Sequence, residues 1–283
     1  DAALVALDGD PALTVLAGGT DLMVEVNRGD RRPDDVLSLR RLSDLRAWWV
    51  EPSARPGAAG GDVVVLGATT TYTDMLEPEL ATLVPGLAQA ARTVGSPQIR
   101  NTGTIGGNLA TGSPAGDTLP VLVALDATVE LASVRGRRTL PVSDFLIGPK
   151  STALGPGELI VAVRVPVPLG PCEFLKIGVR NAMVIAVANC ALVLDRDSRS
   201  LTCALGSVGP VPVRDPGVEQ WVTTRLDWDG STPPYPSVVE GFARRMAAAS
   251  RPIDDHRATA AYRRHAVDVM ARRALERAWG AAA

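Results

Sequence analysis

Apolar and polar positions alternate over short stretches in the first two-thirds of the chain, and longer stripes follow in the last third. Thr14–Leu16 and residues 36–39 form short apolar runs on either side of a glycine loop, the pattern of strand, loop, strand. Residues 63–67 and 127–131 predict two further buried strands. In residues 158–165, Leu159, Val161, Val163 and Val165 alternate on one face, which suits a half-buried strand that Pro166 and Pro168 end. Residues 73–76 open a helix, residues 83–94 predict another, and Asp117 is placed to cap a third through Leu125. Residues 51–61, rich in Pro, Gly and Ala, predict a surface linker or hairpin tip, and residues 95–117, with six glycines and two prolines, predict a long ordered loop.

After residue 170 the style changes. Residues 174–177, 184–194 and 201–208 predict three strands, and the polar turn 195–200 joins the last two as in an antiparallel meander. Helices are predicted over about 236–250 and 258–278. In the second, Tyr262, Ala266, Val269, Met270 and Ala274 fall on one stripe. No repeat of solenoid period is visible.

Composition narrows the function classes. With 283 residues, 46% hydrophobic, the chain can bury substantial cores, and a formal charge of −2 lacks the basic excess of a nucleic-acid binder. No apolar run approaches the ~20 residues of a membrane span. No charged n-region or apolar h-region opens the chain, so no signal peptide is expected. Three scattered cysteines, Cys172, Cys190 and Cys203, offer no C-x-x-C clip, and a reducing cytoplasm is the expected setting. His256 and His265 are the only histidines, so neither a metal site nor a histidine-dependent triad is expected.

Two double-glycine segments carry the candidate chemistry: Ala17-Gly18-Gly19-Thr20-Asp21 and Thr104-Ile105-Gly106-Gly107-Asn108. Glycine allows positive φ and close backbone approach, and successive N–H groups can form a concave anion nest. A diphosphate held from both sides is the natural ligand. Asp21 and Asp117 lie close by in sequence, better suited to capping or to ribose and adenine donors than to phosphate. The P-loop, the G-x-G-x-x-G fingerprint and a nucleophile elbow are all missing. That leaves nucleotide binding in which a bound redox cofactor supplies the reaction.

These residues also carry a resemblance. LAGGTDLM (residues 16–23) and SPQIRNTGTIGGNLATGSPAGDTLPVLVAL (96–125) resemble the FAD-binding, or medium, subunits of molybdenum hydroxylases of the xanthine dehydrogenase and carbon monoxide dehydrogenase type. The likeness continues through residues 157–166, 174–183 and 251–275 and covers nearly the whole chain. It implies an α+β fold: a two-subdomain FAD-binding portion over residues 1–168 (about 1–50 and 62–168), then a C-terminal flavoprotein domain over 169–283 with a three-stranded antiparallel sheet and helices. It implies that FAD contacts Leu16, Ala17, Gly18, Gly19, Thr20 and Asp21 on one side and Thr104, Ile105, Gly106, Gly107 and Asn108 on the other. Val94 and Gly95 are expected near the flavin ring, and Ala110, Thr111 and Asp117 along the nucleotide half. Ile160 is expected on the flavin or adenine side, and Lys176 at the carbonyl edge of the ring, where a cation favours reduced flavin. Many relatives carry an acidic residue a few positions past Arg180, where this chain has Val184, so the acceptor stays open.

By the same resemblance the chain is an oxidoreductase subunit with no catalytic side chain of its own. A molybdopterin-binding large subunit oxidises the substrate, and a small subunit with two-iron two-sulfur clusters relays electrons to FAD here. FAD then passes them to NAD⁺, oxygen or another carrier, within a heterotrimer. Two other classes stay open: a self-sufficient flavin oxidase or reductase, and a cofactor-free scaffold. On the residues alone, Lys176 also reads as an ordinary strand lysine and Asp117 as a plain N-cap. The arginine pairs 244–245, 263–264 and 272–273 read as solvated helix faces, and Trp48-Trp49 as partial core.

Overall fold

The computed structural model describes residues 1–52, 61–230 and 232–282, so most of the linker expected over 51–61 lies outside the described residues. At the N-terminus α1 (Ala2–Gly9) buries only Leu7. β1 (Thr14–Leu16) and β2 (Val36–Ser38) pair in parallel, and α2 (Leu22–Arg28) crosses between them. Gly29, at φ 79°, ends that helix in the left-handed conformation that glycine adopts without steric cost. Leu7, Leu39 and Leu159 form a small core under this unit.

A second unit is built on a sheet of β3 (Trp48–Glu51), β4 (Val63–Gly67), β5 (Thr128–Ser133), β6 (Gly136–Pro141) and, later in the chain, residues 159–166. Between β4 and β5 run α3 (Pro78–Leu83), α4 (Pro85–Thr93), α5 (Pro97–Thr102), α6 (Ile105–Thr111) and α7 (Thr118–Ala124). α8 (Val142–Phe145) and the hairpin of β7 (Leu146–Gly148) and β8 (Ser151–Thr152) follow, then β9 (Leu159–Pro166). The sheet order is β3-β4-β9-β5-β6, antiparallel throughout. Its helix-facing side forms the main core, in which Leu66, Leu87, Leu109, Leu122, Leu131 and Phe145 are fully enclosed. Trp48 packs against that core, whereas Trp49 stands half-exposed and donates its indole N–H to Glu51 at 2.8 Å.

Three expectations change here. Residues 95–117 are not one loop: α5 and α6 occupy most of it. Ser96 and Thr104 each accept a backbone N–H three residues on (Ile99 and Gly107), and Pro97 sits at the first position of α5. Asp117 stands at the N-cap of α7 but makes no side-chain cap bond, because its carboxylate is engaged elsewhere. The strict alternation expected in β9 is broken. The β5–β9 register shifts so that Glu130 faces Ala162 while Leu131 faces Ile160, leaving Val161 as an extra residue. Ile160, Val163 and Val165 therefore join the main core, and Leu159 and Val161 turn to the small N-terminal core.

The last third forms a sheet of β10 (Cys172–Ile177), β11 (Ala188–Asp195), β12 (Ser200–Gly206) and β13 (Val213–Arg214), all antiparallel, so a short fourth strand joins the predicted three. The meander and its tight turn 195–200 are as predicted. α9 (Pro216–Thr223), which the sequence pattern did not predict, joins α10 (Pro236–Ala249) and α11 (Ala260–Ala281), close to the two expected helices, in covering one face. Cys190, Leu192 and Leu194 of β11 face these helices, while Ala191 and Val193 face the main core of the preceding unit. A strand buried on both faces explains the unbroken apolar run in this segment. No described helix is long and apolar enough to cross a membrane.

Candidate functional site

The first glycine segment leaves the end of β1 and enters α2; the second begins α6. Both line one cleft of about 420 Å³, together with the start of β9. Of the sequence-predicted positions, Leu16, Ala17, Gly18, Gly19, Thr20, Asp21, Thr104, Gly106, Gly107, Asn108, Ala110, Thr111 and Ile160 line it. Ile105 does not: it lies fully buried in the main core and anchors α6 from behind.

The two segments hold their backbones differently. In the second, Ile105 N–H donates to Thr70 at 3.0 Å, Gly106 N–H to Ala68 at 2.9 Å, Gly107 N–H to the Thr104 hydroxyl at 3.0 Å, and Asn108 N–H to the Thr104 carbonyl at 2.9 Å. These donors are already satisfied. In the first, the N–H groups of Gly18, Gly19, Thr20 and Asp21 have no protein acceptor among the described residues. Gly18, Gly19 and Thr20 are half-buried and Asp21 is exposed at the start of α2, so this row is open to a ligand acceptor.

Glycine is required here for reasons of space. A β-carbon on Gly18 would stand 1.9 Å from the Thr102 carbonyl oxygen, and one on Gly106 would stand 2.6 Å from the Ala68 oxygen. The β1–α2 corner thus rests on the end of α5, and α6 rests on the backbone after β4. Gly19 takes φ 72°, the left-handed conformation that turns the chain into α2. Asp21 accepts from Thr111 across the cleft at 3.0 Å, and Asn108 accepts from Thr118 at 2.5 Å, so polar side chains on both walls are tied in place.

Val94, Gly95, Asp117 and Lys176 form a second group, outside that cleft. Lys176 Nζ, from β10, donates to Asp117 at 2.5 Å and to the Thr93 carbonyl at 3.1 Å. Asn189 from β11 donates to the other Asp117 oxygen at 3.2 Å, and the Thr93 hydroxyl donates at 3.3 Å. The side chains of Lys176 and Asp117 are only 7% and 6% exposed. Burial pushes the Asp117 carboxyl up, and Lys176 followed by its other donors offsets that only in part, so it stays raised. Arg100 donates to the carbonyls of Val94 and Gly95 at 3.0 and 3.1 Å and fixes that corner, where Gly95 takes φ 44°. Lys176 is thus neither a solvated strand lysine nor an open cation; its ammonium is held in a buried network by Asp117 and the Thr93 carbonyl.

Tyr72, Glu25, Arg31, Lys150 and Glu158 also line the cleft, and nothing in their local sequence marks them. Burial first, then the Asp117 and Asp21 carboxylates, push the Tyr72 hydroxyl up, so it stays protonated at neutral pH. The Arg138 guanidinium, against the opposing effect of burial, holds Glu158 below its usual range, with the Gly155 N–H assisting. Only long-range placement reveals such residues: Lys150 arrives on the β7–β8 turn and Arg31 on the segment after α2. Among the described residues no cluster of metal-ligating side chains occurs.

A cradle of unsatisfied N–H groups, glycines with no room for a side chain, and a cleft continuing to the apolar Leu159 and Ile160 fits a dinucleotide whose diphosphate lies on the loop. The chain is similar to known proteins along nearly its whole length. Residues 1–168 match the family described as the FAD binding domain in molybdopterin dehydrogenase, and residues 173–278 match the C-terminal domain of CO dehydrogenase flavoprotein. The glyceraldehyde dehydrogenase medium chain of Sulfolobus acidocaldarius is 33% identical over 97% of this chain and 93% of its own. The carbon monoxide dehydrogenase medium chain of Hydrogenophaga pseudoflava is 31% identical over 94% of this chain and 88% of its own. A solved structure of carbon monoxide dehydrogenase from Hydrogenophaga pseudoflava superposes with a TM-score of 0.85 at 29% identity, covering 100% of this chain and 95% of that one.

Proposed function

This chain belongs to the FAD-binding subunits of the molybdenum hydroxylase family, and from that premise we propose that it relays electrons between an iron–sulfur partner and a soluble acceptor. The carrying observation is the row of N–H groups on Gly18 to Asp21 without a protein acceptor among the described residues, lining a cleft of about 420 Å³. FAD, when bound, supplies a redox centre that exchanges electrons singly or in pairs. The chain's own residues bind and orient it. The loop N–H groups would take the diphosphate oxygens, and Leu159 and Ile160 give an apolar wall. Asp21, held by Thr111, stays clear of the anion as an acceptor for hydroxyl or amine donors.

The Asp117–Lys176 network ties the end of α4 and the start of α7 to the C-terminal sheet. Val94 and Gly95 lie half-exposed on the same corner, and the proposed seat of the flavin ring is the outer face of that corner, with the enclosed Asp117–Lys176 pair behind it. No side chain on either wall is assigned as a general acid or base in this reading, because the flavin would itself carry the transfer. The partners in this reading are a molybdopterin-binding large subunit and a small subunit with two-iron two-sulfur clusters; NAD⁺ is the proposed acceptor, with oxygen or another carrier as the alternatives. Full-length similarity to medium chains favours this over a self-sufficient flavin enzyme. Retention of Gly18, Gly19, Gly106, Gly107 and Asn108 favours it over a bare scaffold.

Purification of the tagged chain from its native cells, with metal analysis of the eluate, tests the assignment. Molybdenum and iron should co-elute with the chain in fixed ratio. A flavin-loaded chain that elutes alone, with neither metal, would contradict the proposed complex.

A further inference from the structure

The diphosphate of FAD brings two negative charges into the cleft, and the loop N–H groups bring no full positive charge to meet them. Resting on the FAD reading above, we infer that Arg31 and Lys150 are the charged half of the diphosphate site, and that Glu25 holds them in reserve. They are the only cationic side chains lining the cleft among the described residues, against three carboxylates, Asp21, Glu25 and Glu158. Two of those carboxylates are committed. Glu158 takes both arms of Arg138, at 2.6 and 2.7 Å, and the Gly155 N–H; Asp21 takes the Thr111 hydroxyl.

Glu25 is different. It stands between Arg31 at 3.8 Å and Lys150 at 3.6 Å, both beyond hydrogen-bond distance and both with half or more of the cation exposed. Exposed pairs of this length contribute little. A phosphate oxygen offers each cation a shorter, charge-assisted bond. The two cations also approach from separate elements. Lys150 is set by its own backbone, with φ 54° and an N–H bond to the Gly112 carbonyl at 2.9 Å. Arg31 is tethered to the Thr14 hydroxyl at 3.3 Å, at the start of the strand that leads into the glycine loop. Binding therefore exchanges Glu25 for phosphate on both cations. Because the N–H groups of the second glycine segment are spent, this pair supplies the opposing side of the diphosphate clamp.

The sign of one substitution separates this from a structural strap. Lys150→Gln, Arg31→Gln and Glu25→Gln are each prepared in the full chain, stripped of flavin, checked for an unchanged melting profile, and titrated with FAD, ADP and riboflavin over a salt series. Lys150→Gln and Arg31→Gln should each weaken FAD and ADP about tenfold and leave riboflavin unaffected, with the difference fading at high salt. Glu25→Gln should tighten FAD, since it removes the competing carboxylate. If wild-type chain binds FAD but Glu25→Gln weakens it as much as Lys150→Gln does, the three residues are a strap and the inference is overturned, while the FAD reading stands. Equal FAD affinity in all four proteins overturns it likewise. Failure of wild-type chain to bind FAD overturns both.

Discussion

Gly18 is the most tightly constrained residue of the cleft. Its absent β-carbon would lie 1.9 Å from the Thr102 oxygen, and backbone cannot yield as a side chain can. Gly18→Ala should therefore destabilise the protein by about 1–3 kcal/mol and displace the N–H row, so that denaturant unfolding shows a lower midpoint and FAD titration a weaker affinity. The glycine requirement was legible in the sequence; its cause, the carbonyl at the end of α5, was not, because the two positions are far apart along the chain. Lys176 teaches the same lesson. As a strand lysine it was ambiguous, and only the fold shows its ammonium enclosed with Asp117, Thr93 and Asn189. Lys176→Met leaves a buried carboxylate unpaired and should cost about 3–5 kcal/mol by chemical denaturation. Adding Asp117→Leu should recover part of that loss. A double variant worse than the single one would show that the pair is not the stabilising unit.

At the scale of elements, the glycine-rich stretch 95–117 shows how composition misleads. Six glycines suggest a loop, yet Ser96 and Thr104 supply caps, and Gly106 in α6 serves close approach to Ala68 rather than flexibility. Thr104→Val removes the acceptor of the Gly107 N–H and should destabilise by about 1 kcal/mol, read as a lower thermal midpoint. In β9 the strand was legible, but the bulge at Val161 that breaks its alternation was not, since no residue type announces it. That bulge turns Leu159 and Val161 to the small N-terminal core while Ile160, Val163 and Val165 stay on the main one. The segment between α10 and α11 depends on Asp255. Burial pushes its carboxyl up, but the Arg257 and Ala258 N–H groups and the Arg263 and Arg257 guanidinium groups overcome that and hold it well below the usual range. A depressed carboxylate stabilises the fold above its unfolded pKa, and that contribution fades as pH falls. Asp255→Asn should thus be clearly less stable than wild type near neutrality, with the gap in thermal midpoint closing below about pH 4. A gap independent of pH would contradict the ionic account.

For the whole molecule, the organising feature is the sheet β10–β13, buried on one face by α10 and α11 and on the other by the main core. Its long apolar run made the strands easy to find. Its double burial was hidden, because an apolar run alone does not say what covers each face. This arrangement fastens the C-terminal third to the FAD-binding portion through the Asp117–Lys176 seam, so the cleft and the seam keep a fixed relation. The central claim is that the cleft holds FAD, and a visible absorption spectrum of the purified chain, with chromatography of the cofactor released by heat, tests it most directly. The account predicts a flavin spectrum and released FAD in stoichiometric amount, or its uptake after FAD is added. Released FMN, or a colourless protein that takes up no FAD in excess, would contradict it.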